Sequence, residues 1–125
     1  LAMLQEPGAA EGRRRIAASL GAAARAAFED HPQVVEVRQC GTIVAVEFAR
    51  DRATREPYPW RERRHLHIHR HAIASGVLLR PLGNVIYFMP PYIVGDAEIE
   101  RMVTVAREGL DLAAAADPDA PAGSP

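Results

Sequence analysis

Residues 76–92 constrain the fold most: Gly-Val-Leu-Leu-Arg-Pro-Leu-Gly-Asn-Val-Ile-Tyr-Phe-Met-Pro-Pro-Tyr. An apolar run stops at Arg80, turn-forming residues follow, and a second apolar run begins at Val85. A double proline and Tyr92 close the stretch. The pattern predicts two short strands, a tight turn over residues 81–84, and a guanidinium at the end of the first strand. An apolar hairpin has no need of an arginine there. Arg80 therefore reads as a place where an anion is held.

The other segments are read around that hairpin. Residues 1–5 are an apolar stub broken by Pro7-Gly8. Residues 9–29 are rich in Ala and Arg and predict a helix. Ile16, Leu20, Ala24 and Ala27-Phe28 fall near one of its faces. Asp30-His31-Pro32 stops it, because the residue before proline is pushed out of the α region.

Residues 34–38 and 42–48 read as strands flanking Gln39-Cys40-Gly41. In the second, Val44, Val46 and Phe48 share one face and Ile43, Ala45 and Glu47 the other. Covering on both faces is expected near its start. Residues 49–61 form a polar surface connection whose aromatics, Tyr58 and Trp60, are expected to pack on something outside this chain. Residues 62–75 read as a helix with Leu66, Ala72 and Ile73 on its apolar arc and Gly76 at C′. Asp96 reads as the N-cap of a last helix, with Ile99, Met102, Val103, Ala106 and Leu110 as its buried stripe.

This order predicts an α+β fold, a small antiparallel sheet covered by helices on one face. Residues 9–112 are read as the folded domain and residues 113–125, built of Ala, Asp, Pro, Gly and Ser, as a disordered tail. A length of 125 residues suits one domain. A net charge of -1 removes any bulk electrostatic case for nucleic acid or an anionic membrane. The single cysteine excludes an internal disulfide framework and fits a reducing, cytoplasmic compartment. All 15 basic residues are arginine, so no lysine chemistry can be run by this chain alone. The chain does not begin with Met, and residues 1–4 read like the tail of a helix whose start is missing.

Several side chains invite a chemical reading. His65, His67, His69 and His71 alternate, and on a strand they would suggest a zinc or nickel site. On the helix read here, His65 and His69 lie on the side of Leu66 and Ile73, and His67 and His71 face solvent. No carboxylate or cysteine completes either pair, so two packing and two solvated histidines are expected, with no metal. Cys40 reads as a small buried residue at a strand end rather than a reactive thiol. Glu47 reads as a carboxylate paired to an arginine at the edge of the core. Arg13-Arg14-Arg15 reads as a solvated helix face. Arg80 is the strongest candidate, since its planar fork meets a carboxylate with two parallel hydrogen bonds. A structural ion pair with one of the 16 acidic residues is the alternative, and spacing alone does not separate the two. Tyr87 would lie near Arg80 if the hairpin closes around residues 81–84.

The Arg-Pro-Leu-Gly and Tyr-Phe-Met-Pro-Pro-Tyr segments of residues 80–92 resemble the adenosylmethionine-8-amino-7-oxononanoate aminotransferases. These are class III, fold-type I, pyridoxal-phosphate-dependent enzymes of biotin biosynthesis. Residues 37–48, Val-Arg-Gln-Cys-Gly-Thr-Ile-Val-Ala-Val-Glu-Phe, are similar to the strand pair of that family's small domain. Together the likeness spans roughly residues 16–110. Many class III relatives carry an arginine just before the Phe-x-Pro-Pro stretch, for an α-carboxylate. Here that place is Tyr87, and the arginine stands earlier, at Arg80.

The resemblance implies that Arg80 binds the distal carboxylate of 8-amino-7-oxononanoate and that Tyr87 lines the same pocket. It implies that S-adenosylmethionine is the amino donor. It also implies that pyridoxal 5′-phosphate is held by a large N-terminal domain, whose lysine does the chemistry, in a homodimer. This chain, as a C-terminal small-domain fragment, would contribute no catalytic, cofactor-binding or metal-binding residue and would be inactive alone. Two other readings stay open: a fragment of another ω-aminotransferase of the class, and a free-standing, non-catalytic carboxylate-binding module.

Overall fold

Helix α1 (Pro7–Phe28) opens on proline, whose fixed φ suits the first helical position and whose missing N–H costs nothing there. The computed structural model describes residues 7–77, 79–89 and 95–116. Strands β1 (Val34–Cys40) and β2 (Ile43–Phe48) follow α1. A 3₁₀ turn (Trp60–Glu62) leads to α2 (His65–Ala74), then to β3 (Arg80–Leu82), β4 (Val85–Phe88) and α3 (Asp96–Ala115). The N-terminal stub, the Pro-Pro-Tyr closure of the hairpin, the Trp60 side chain and the tail from residue 117 lie outside the described residues.

The strands form one antiparallel sheet in the order β1-β2-β4-β3, as the α+β reading expected. One face packs on the helices. Val44, Val46 and Phe48 from β2 and Ile86 and Phe88 from β4 are buried there with Ile16, Leu20, Ala24 and Phe28 of α1. The Phe28 and Phe88 rings meet at 6.3 Å. Each of these side chains larger than Ala24 contributes roughly 1.5–3 kcal/mol by leaving water. The other face carries Glu36, Arg38, Cys40, Ile43, Ala45, Val85 and Tyr87. Ile43 is 42% exposed, so the expected covering of both faces near the start of β2 does not hold. Among the described residues no helix is long and apolar enough to cross a membrane.

A register shift between Val34 and Glu36 sets which β1 residues face out. It puts Cys40 on the open face, where it is an exposed free thiol rather than the expected buried residue. The β1–β2 turn takes Gly41 at φ +59°, the backbone that favours glycine at the first centre of a tight hairpin.

The helix expected over residues 62–75 is divided. Arg63 has φ +46°, which separates the 3₁₀ turn from α2. The buried residues of α2 are Ile68 and Ala72, while Ile73 is 59% exposed. The arc expected at Leu66, Ala72 and Ile73 is therefore turned, because the helix also packs on α3. There Gly109 lets the backbones approach: a Cβ on it would stand 3.1 Å from Ile68 Cα. Gly109→Ala should cost about 1–3 kcal/mol, the usual penalty of overpacking, read from the urea midpoint. An unchanged midpoint would mean that α2 and α3 can part freely.

Asp96 is the first residue of α3 rather than its N-cap; Gly95 takes that place with no side-chain hydrogen bond. The Asp96 carboxylate instead accepts from Arg15 Nη1 and Ser19 Oγ, both at 2.9 Å, tying α3 to α1. Arg15 thus has a partner where a solvated run was expected. The buried stripe of α3 includes Ile99, Val103, Ala106 and Leu110 as read. The helix runs to Ala115, beyond the expected boundary at 112, and Ala113 is fully buried.

Tyr58 is 7% exposed and packs inside this chain, correcting the expectation of an outside partner. Its ring stands 6.2 Å from that of Phe48, and the Arg64 guanidinium lies 4.2 Å from its centroid. Arg64 also pairs with Glu62 at 2.6 Å and donates to the Ala113 and Ala116 carbonyls at the end of α3. Burial raises the Tyr58 phenol above its ordinary range.

Candidate functional site

The end of α2 delivers the chain to the open edge of the sheet. Gly76 adopts φ +74° at C′, as expected. Its N–H donates to Ile73 O at 3.0 Å and Val77 N–H to Ala72 O at 2.8 Å, the two bonds of a Schellman stop. Val77 and Leu79 then turn into the core, 7% and 3% exposed.

Arg80 begins β3 rather than ending a longer strand. The turn is only Gly83-Asn84, with Gly83 at φ +59°, because Leu82 already pairs with Val85. Pro81, expected in the turn, lies within β3 opposite Ile86. A proline is tolerated there because β3 is the sheet edge and needs no donor on its outer side. This register makes Arg80 the direct cross-strand partner of Tyr87, so the two side chains share a face. The row continues through Ala45 of β2 to Arg38 of β1.

Arg80 is exposed and Tyr87 half-buried. Both line a cavity of about 640 Å³ whose other walls include Ile43, Leu79 and Met89, with His69 reaching in from α2. Among the described residues no carboxylate pairs with Arg80. The cavity is therefore an apolar slot with one permanent cation, one phenol and one imidazole. Such a lining suits an apolar chain that ends in an anion.

The other candidates fall elsewhere. Glu47 pairs with Arg38 at 3.1 Å, as read, within a group that includes Glu36 and Arg55. The hydrogen bonds to Glu47 and then Glu36 raise the Arg38 pKa further, so Arg38 is committed to these carboxylates.

The histidines of α2 are all half-buried, not two packed and two solvated. His71 reaches Glu108 of α3 at 3.2 Å instead of facing water. Burial holds His65 and His67 below the ordinary imidazole range, with Arg63 and Arg64 respectively adding to it. Among the described residues no group of three or more His, Cys, Asp or Glu could hold a metal ion.

Two features had no reading in the sequence. His31 is buried, with Nε2 2.6 Å from Asp111 Oδ1. Its Nδ1 accepts the Gln33 N–H at 3.1 Å, so Nε2 carries the proton given to Asp111. The buried Glu62–Arg64 pair is the second. An Asp eighty residues from a His, or two charges flanking a helix start, carries no local signal of pairing.

Comparison with known proteins shows the family of the chain. The family described as aminotransferase class-III matches residues 1–108. The adenosylmethionine-8-amino-7-oxononanoate aminotransferase of Geobacter sulfurreducens is 51% identical over 70 residues, 56% of this chain and 16% of that protein. The enzyme of the same name from Anoxybacillus flavithermus is 40% identical over 85 residues, 68% of this chain and 19% of that protein. The chain thus spans less than a fifth of either relative. Among solved structures, the ω-transaminase of Pseudomonas jessenii in complex with PMP superposes with a TM-score of 0.79 at 30% identity, over 90% of this chain and 25% of that one. By sequence and by fold, this chain belongs to the class-III aminotransferase family.

Proposed function

We propose that this chain carries the C-terminal small domain of a transaminase that moves the amino group of S-adenosylmethionine to 8-amino-7-oxononanoate. The product, 7,8-diaminononanoate, lies in biotin biosynthesis. The observation that carries this reading is the Arg80–Tyr87 pair on one wall of an apolar cavity, with no carboxylate on Arg80 among the described residues. A long keto acid places its carboxylate far from the reacting carbon, so its anchor must also lie far from the chemistry. Arg80 holds that carboxylate and Tyr87 lines the slot beside it. Their contribution is orientation, a proximity effect, and no bond-making step.

Pyridoxal 5′-phosphate is the cofactor this reading implies; when bound, it supplies the carrier of the transferred amino group. The residues described here do not fit it. The chain has no lysine to carry it, and the one free guanidinium of the cavity is assigned to the substrate. We therefore place the cofactor on a larger N-terminal part of the protein, in a cytoplasmic homodimer. The open sheet face, with Ile43, Leu82 and Met89 exposed, offers that part an apolar surface.

Purified intact protein containing this chain should form 7,8-diaminononanoate from the two substrates, measured by mass spectrometry. Residues 1–125 alone should form none. Activity confined to short acceptors such as pyruvate would instead identify another ω-aminotransferase. Transamination by the isolated chain would overturn the fragment reading.

A further inference from the structure

Helix α2 carries a buried stripe of Ile68 and Ala72, and a histidine stands on each flank of it. His71, on one flank, is used by Glu108 of α3. His69 follows Ile68 by one residue, a rotation of about 100°, and comes out on the opposite flank, beside β3. There it lines the same cavity as Arg80 and Tyr87. Among the described residues no neighbouring element hydrogen-bonds its ring, and it is half-buried. On α2 it interacts with His65, a turn earlier. The cavity walls between these groups are apolar, so His69 has no other polar group there to serve.

A carboxylate has about four acceptor sites, and a guanidinium fork fills two of them. The rest need further donors or water. The exposed Arg80 comes from the sheet edge, and His69 is the donor that the helix side of the cavity supplies.

We propose that His69 is a specificity-determining residue of the acceptor pocket, its ring N–H donating to the acceptor carboxylate that Arg80 holds. The role rests on the proposed function above. It adds a second, directional contact, so that acceptors ending in a carboxylate are preferred over those ending in an ester or amide.

The test uses the intact protein with S-adenosylmethionine as donor and 8-amino-7-oxononanoate or its methyl ester as acceptor. His69→Ala should raise the KM for the acid roughly tenfold, the effect of one hydrogen bond to a charged group. The kcat and the donor KM should stay within about twofold, since the contact is far from the reacting carbon. His69→Gln, which keeps an N–H donor, should recover most of the loss. His69→Phe, which keeps the ring volume, should behave like His69→Ala and stands in for it if the alanine variant fails to fold. For the ester, parent and variants should share one KM. An unchanged KM for the acid, or equal losses for acid and ester, would overturn the role of His69. Arg80→Ala separates the two ideas: if it raises the acid KM while the His69 variants do not, only the His69 contact is lost. If Arg80→Ala has no effect either, the carboxylate anchor itself falls.

Discussion

Replacing Arg80 with alanine in the intact protein should raise the KM for 8-amino-7-oxononanoate by about 10- to 100-fold, the range of a charge-assisted hydrogen-bonded pair. The KM for S-adenosylmethionine should change far less. The reason is geometric: Arg80 sits on the edge strand, exposed, opposite Tyr87, and pairs with no carboxylate among the described residues. Among the described residues no ion pair depends on its charge, so the melting temperature should hold. Arg80→Lys should keep the charge but lose the fork, and recover only part of the affinity. Equal losses for both substrates, together with a lower melting temperature, would make Arg80 a structural residue and remove the anchor.

The largest loss of stability is expected at Arg64. Arg64→Ala should cost about 3–5 kcal/mol, as breaking one side of a buried ion pair does. Glu62 is 3% exposed at its side chain and among the described residues would keep only Arg50, 2.8 Å away on the surface. The Ala116 carbonyl would lose the Arg64 donor, the Ala113 carbonyl would keep only the Ala116 N–H among the described residues, and Tyr58 would lose the nearer of two cations over its ring, Arg50 lying 5.7 Å from its centroid. Replacing both partners, with Glu62→Leu and Arg64→Met, should cost less than Arg64→Ala alone, because no buried charge is then left unpaired. Urea unfolding of the three proteins measures this order. If the double variant were the least stable, the pair would be a net source of stability rather than a mutual necessity.

The local patterns in the chain transferred well to the structure. The stripes at Ile16, Leu20, Ala24 and Phe28 and at Ile99, Val103, Ala106 and Leu110 are buried, because a 3.6-residue period needs no knowledge of the partner surface. Gly76 stops α2 where its φ preference says it should. Residues that answer to a neighbour were misplaced. Pro81 looked like a turn residue, and only the edge position of β3 makes it acceptable in a strand. Cys40 looked like a core residue until the register shift in β1 turned it outward. Ile73 looked like the apolar side of α2, but packing against Gly109 of α3 rotated the buried face to Ile68. Tyr58 looked orphaned, and Arg64 and Phe48 cover it.

For the candidate site the division is similar. Arg80 and Tyr87 were legible as a pair, since a hairpin brings them together within eight residues of chain. His69 was legible only as one of four alternating histidines. The sequence by itself determined the element types, the hairpin and the presence of an unexplained cation in it, because backbone preference and hydrophobic period act over a few residues. Only the tertiary structure decided that the tight Gly83-Asn84 turn sets Arg80 opposite Tyr87, and that α2 presents His69 and not His71 to the same cavity. Those choices depend on sheet register and on the rotation of a packed helix, which contacts distant in sequence impose.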